Sequence, residues 1–164
     1  MALLYSIFWI LIAVVLQTLL FNHLPLFGGV IMVYVIALIK IPVEVNRNIQ
    51  ILTGFICGLI IDIFSNTPGM HAITALTIMW LRIPVLHLYV NAEDVKTGVP
   101  GYSLMGMQSY LRYAITILAL HCIILYFVES FTLFNILTTS LKALISIVLT
   151  FILLLSLEFA NIEK

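Results

Sequence analysis

Six apolar runs, near residues 3–21, 26–41, 49–64, 70–88, 113–129 and 142–159, leave this chain one solvent in which to fold. Each approaches the ~20 apolar residues that carry a helix across a hydrocarbon core about 30 Å thick. With no water there to satisfy backbone groups, each segment must close its own hydrogen bonds. The expected fold is therefore all-α: a polytopic membrane bundle of six transmembrane helices, one domain over residues 1–164. Composition agrees, because 63% hydrophobic residues, 9% charged residues and a mean hydropathy of +1.23 lie far outside globular usage. The second run carries the weakest helix signal, since Gly28 and Gly29 open it and Pro42 closes it.

Charge narrows the classes further. The formal net charge is zero and no basic stripe is present, so nucleic acid is not an expected partner. The opening "MALLYSIFWILIAVVLQTLLF" lacks a basic n-region and a small-residue cleavage site, and is expected to be a retained first span. Cys57 and Cys122 sit in apolar runs without CxxC spacing, which points to reduced packing residues. With the N-terminus inside, Lys40, Arg47, Lys96, Arg112 and Lys164 fall on the cytoplasmic side and Lys142 outside, so both termini are expected in the cytoplasm. Arg82 lies in the inner half of the fourth span and is expected to snorkel toward the headgroups. The remaining sizeable polar piece is a cytoplasmic loop at about 89–112, whose "GVPGYSLMGMQSY" suits the membrane surface or a partner.

One acid interrupts this pattern. In "GFICGLIIDIFSNTPGMHAI", Gly54, Gly58 and Asp62 recur every four residues and share one stripe of the third helix. Paired glycines allow close backbone approach where lipid supplies no hydrophobic drive for association. Asp62 on that stripe faces protein, yet it sits at the negative end of its helix dipole, so something nearby must compensate. The candidates are His71, Ser65, Asn66, Thr67 and the freed amides around Gly69. Two roles compete: a polar clamp on the turn between helices three and four, and a proton or substrate site. The clamp is the expected one.

Enzymatic chemistry finds little footing. His121 lies mid-span without an acid at its depth and is expected to be neutral and hydrogen-bonded to another helix. His23 and His87 fall at opposite interfaces, so no metal site is expected. Aspartyl proteolysis needs two facing acids and Asp62 is alone in a span, while no Gly-flanked Ser with a matching His appears. Neither a cofactor nor an activity is expected. Gln17, Thr53, Thr74 and Thr77 are polar groups able to bond across helices.

The string "GFICGLIIDIFSNTPGMHA" resembles the signature of MreD, the bacterial rod shape-determining membrane protein family: paired glycines, an Asp four residues on, a Ser three later, then a Gly-x-His turn. The Leu16–Gln17 pair ending the first helix and Pro42 closing the second fit as well, and the likeness is strongest over residues 10 to 90. The resemblance implies that Gly54, Gly58, Asp62, Ser65, Gly69 and His71 are helix-packing or partner-binding positions. It also implies a non-enzymatic plasma-membrane component of cell elongation that binds an MreC homologue. MreB filaments and the RodA/penicillin-binding transpeptidase pair would be further partners, and peptidoglycan synthesis the process served. The family is similar in architecture to the substrate-binding subunits of energy-coupling-factor vitamin transporters. A small-solute binding subunit, with Asp62, His71 and the Ser65–Thr67 turn lining an outward cavity, is therefore the competing expectation.

Overall fold

The structure, a computed structural model, describes residues 2–91, 93, 95–130 and 136–162, with side chains described from residue 6 to residue 160 of these. Lys164, part of the orientation argument, and positions 92 and 94 of the loop lie outside the described residues. The regular elements of the described chain are all helical: α1 (Ala2–Leu19), a 3-10 turn (Phe21–His23), α2 (Val33–Ile39), α3 (Arg47–Ser65), α4 (Met70–His87), α5 (Tyr102–Met105), α6 (Met107–Ser130) and α7 (Ile136–Ile162). Five of these, α1, α3, α4, α6 and α7, are long and apolar enough to cross a membrane. Their outward faces are lined by large apolar side chains such as Phe8, Trp9, Ile63, Phe64 and Phe127, as a lipid-facing surface requires.

The second apolar run departs from a full helix. Only Val33–Ile39 is α-helical, and residues 29–32 are outside any helix. Phe27 and Gly28 have positive φ (54° and 84°), which breaks the helical path before it starts. The backbone donors released by the missing helix are met from neighbouring helices. Val30 N–H donates to Ser146 Oγ (2.9 Å), Met32 N–H to Thr150 Oγ1 (3.0 Å) and Val33 N–H to Gln17 Oε1 (2.8 Å). The register works because Val30 and Met32, two residues apart outside any helix, match Ser146 and Thr150, four residues and about 6 Å apart on α7. The segment thus follows α7, beginning beside the stem of Lys142 at Gly28 and ending where the Lys40 ammonium meets the Glu158 carboxylate.

The loop is also shorter than its composition suggests. Residues 102–105 form α5, and α6 already begins at Met107 because Tyr110 and Tyr113 are fully buried and continue its inward face. The irregular part is pinned to the α2–α3 connection. Val43 N–H donates to the Gly98 carbonyl (2.9 Å), and Gly98 N–H donates to Glu44 (2.7 Å). That hydrogen bond holds the exposed Glu44 carboxyl below its ordinary range.

Helices α3 and α4 form the most extensively packed pair. The two stripe glycines explain it. A Cβ on Gly58 would lie 2.4 Å from the His71 carbonyl oxygen, and one on Gly54 would lie 2.5 Å from Met79 Cγ. Backbone therefore touches backbone at Gly58, which only glycine permits. Within α4, Pro84 leaves the carbonyl of Trp80 without its helical donor, and Arg47 Nη2 supplies one at 3.1 Å while stacking on the Trp80 ring.

Candidate functional site

The turn between α3 and α4 is built by two residues in the left-handed region. Asn66 (φ 54°, ψ 40°) closes α3 and Gly69 (φ 77°) opens α4, so the chain reverses within four residues. This brings the last turn of α3 beneath the first amides of α4. Asp62 occupies that point.

Both carboxylate oxygens of Asp62 are engaged. Oδ1 accepts from the His71 amide (3.0 Å), His71 Nδ1 (2.9 Å) and the Thr67 hydroxyl (2.6 Å), and Oδ2 accepts from the Ala72 amide (2.9 Å). The Asp62 carbonyl also receives the amides of Asn66 and Thr67, so backbone and side chain of one residue organise the whole reversal. The two α4 amides belong to its first turn, where they have no helical acceptor. A carboxylate placed there caps α4 and sits at the positive end of its dipole. That offsets the unfavourable negative end of α3, which is the compensation the sequence demanded. The residue is almost fully buried, at 4% exposure.

The sequence-selected residues separate into two groups. Asp62, His71 and Thr67 come together as expected. Ser65 makes no hydrogen bond to the Asp62 carboxylate; it accepts from Asn22 Nδ2 (2.5 Å), and Asn22 in turn accepts from Gln17 Nε2 (2.7 Å), tying the hairpin to α1. Gly54 and Gly58 are spent inside the α3–α4 contact, and Gly69 provides the backbone reversal, with open space where its Cβ would be.

Arg82 overturns its expectation. It is 1% exposed and does not snorkel. Its guanidinium donates to the Gln50 side chain (2.6 Å), the Tyr113 hydroxyl (3.2 Å) and the carbonyls of Ile39 (3.2 Å) and Ile41. The carbonyls at the end of α2 have no helical donors, so a fork of N–H groups is the natural partner, and reaching them outweighs solvation at the surface. Beside it, Glu158 accepts from the Tyr110 hydroxyl (2.8 Å) and pairs with Lys40.

Between these two knots, His121 bonds through Nε2 to the Tyr34 hydroxyl (2.8 Å), on a different helix as expected. Its Nδ1 is buried and has no partner among the described residues. Tyr34, Gln50, Tyr110, Tyr113 and Glu158 are polar participants that sequence reasoning passed over. Their signal was a polar group in an apolar helix, the same one that drew notice to Gln17. Cys57 and Cys122 are buried and free. Among the described residues no three His, Cys, Asp or Glu side chains come together.

A cavity of about 340 Å³ opens beside the hairpin turn, between it, the 22–32 segment and the facing ends of α6 and α7. His71, Ser65 and Thr67 form one wall, Met32, Met70 and Leu125 an apolar part, and Glu129 and Lys142 also line it. No protein-family model, curated protein or solved structure matches this chain.

Proposed function

We propose that this chain is a non-enzymatic scaffold of the bacterial cell-elongation machinery, binding an MreC homologue and helping to position MreB filaments and the RodA/penicillin-binding transpeptidase pair. The support is the resemblance of the Gly54–His71 stretch to the MreD signature, together with what that stretch does here. The observation that carries the reading is that Asp62 is held by four internal donors across both of its oxygens, which suits a structural element better than a reacting one. Because the glycine stripe is used inside the hairpin, a partner's transmembrane helix is received on another face. The exposed apolar sides of the long helices offer the area for it.

On this reading the 28–40 segment is a sixth, broken crossing. It parallels the sixteen-residue advance from Lys142 to Glu158, about 24 Å of helix, and its open backbone is covered by Ser146, Thr150 and Gln17. The termini then lie in the cytoplasm, with Lys40, Arg47, Lys96 and Arg112 at the inner end and Lys142 at the outer. This is the architecture that the resemblance relates to energy-coupling-factor substrate-binding subunits.

Depletion of the protein tests the reading. Rod-shaped cells should round up, and the tagged protein should retain the MreC homologue on purification. The cavity favours one other reading, a solute-binding subunit of a transporter. Normal cell shape with a new nutrient requirement would select that reading and discard the scaffold.

A further inference from the structure

The cavity beside the hairpin has no part in the scaffold role. Its dimensions place it at the small end of ligand sites, which run from about 300 to 1,000 Å³. Its chemistry is graded. Met32, Met70 and Leu125 give an apolar region, the Ser65 hydroxyl and His71 imidazole give hydrogen-bonding groups, and Glu129 and Lys142 bring opposite charges. Among the described residues neither charge forms an ion pair or a hydrogen bond, with the other or with a third group. Opposite charges that share one concavity and remain unpaired present separate counter-ion positions, and low-dielectric walls focus the field between them.

The neighbouring polar groups are held in fixed roles. His71 Nδ1 is engaged by Asp62, so the imidazole is oriented by a carboxylate and its Nε2 is the nitrogen left for other partners. Ser65 is fixed by Asn22, and the Tyr126 ring by the bond from its hydroxyl to Ser146 (2.7 Å). The walls are therefore set before any ligand arrives, which lowers the ordering cost of binding.

We propose that this cavity binds a small zwitterion carrying an ammonium group and an oxyanion, the ammonium at Glu129 and the oxyanion at Lys142, with its apolar part against Met32, Met70 and Leu125. A free solute and the headgroup of an ethanolamine phospholipid both have this chemistry. The site does not rest on the scaffold reading, since partner recruitment and ligand binding are read out separately.

The test uses the full chain in nanodiscs. In one arm, phosphatidylglycerol discs with and without phosphatidylethanolamine are compared by native mass spectrometry for retained lipid. In the other, O-phosphoethanolamine is titrated into protein held in phosphatidylglycerol discs. Glu129→Gln and Lys142→Gln change exposed side chains and should leave the fold intact, each weakening binding about tenfold. Met70→Trp keeps both charges but fills the apolar part, and should abolish binding. Retention of the ethanolamine lipid that these variants reduce supports the site with a lipid ligand, and variant-sensitive binding of O-phosphoethanolamine supports it with a soluble one. Absence of binding in both arms, or binding that all three variants leave unchanged, overturns it.

Discussion

Asp62 and Arg82 are both charges buried in an apolar bundle, and the chain solves the two problems differently. Asp62 is satisfied within one hairpin, by groups five to ten residues ahead of it. Arg82 is satisfied by groups thirty-one to forty-three residues away, gathered from α2, α3 and α6. The first knot makes a local turn and the second joins separate segments. A local knot can form as soon as its hairpin does, whereas the other requires most of the bundle to be assembled first.

That contrast predicts unequal damage. Arg82→Ala should be the most harmful change, because it leaves buried carbonyls and the Gln50 amide without a donor and empties a large volume. A loss of about 3–5 kcal/mol is expected in reversible unfolding in mixed micelles. Equal damage from an exposed Arg47→Ala would break the distinction between buried and surface arginines. Asp62→Asn preserves shape but turns an amide donor toward one of the donors that Asp62 now accepts from. About 2 kcal/mol should be lost, with the effect confined to the α3–α4 turn.

Gly58→Ala sharpens the comparison from the packing side. Its methyl group meets backbone that cannot move aside, so about 1–3 kcal/mol should be lost through separation of α3 from α4. A paired-cysteine distance across the hairpin should grow, and an unchanged distance would mean that the stripe is not the contact surface. Thr67→Val removes one of four donors to Asp62 and should cost about 1 kcal/mol.

The smallest effect concerns the loop end. Glu44 is held below its ordinary carboxylate range by the Gly98 amide, so its contribution is present above the unfolded value near ~4.3. It is lost as pH falls through the lower folded value. Protection of the Gly98 amide should weaken across that acidic window in the wild type and be pH-independent in Glu44→Gln.

The same contrast explains what could be read in the sequence. The glycine stripe, the acid and the Gly-x-His turn lie within one twenty-residue window, where helical periodicity alone places them on facing elements. Arg82 departs from its sequence expectation because depth along its own helix is the guide a sequence offers, and its partners lie too far away in the chain to be seen as a group. The broken second run shows the limit from another side. Gly28 and Gly29 mark weakness, but the non-helical path depends on Ser146 and Thr150, more than a hundred residues away. Six apolar runs were legible, whereas the division of the second into a non-helical stretch and seven helical residues was written in another helix.

The central claim is that the Asp62 carboxylate is an architectural cap on α4. Hydrogen exchange at the His71 and Ala72 amides, compared between the wild type and Asp62→Asn in lipid nanodiscs, tests it most directly. The account predicts strong protection at both amides in the wild type and its loss in the variant, with mid-helix α4 amides unchanged. Equal protection of the two amides in both proteins would contradict it.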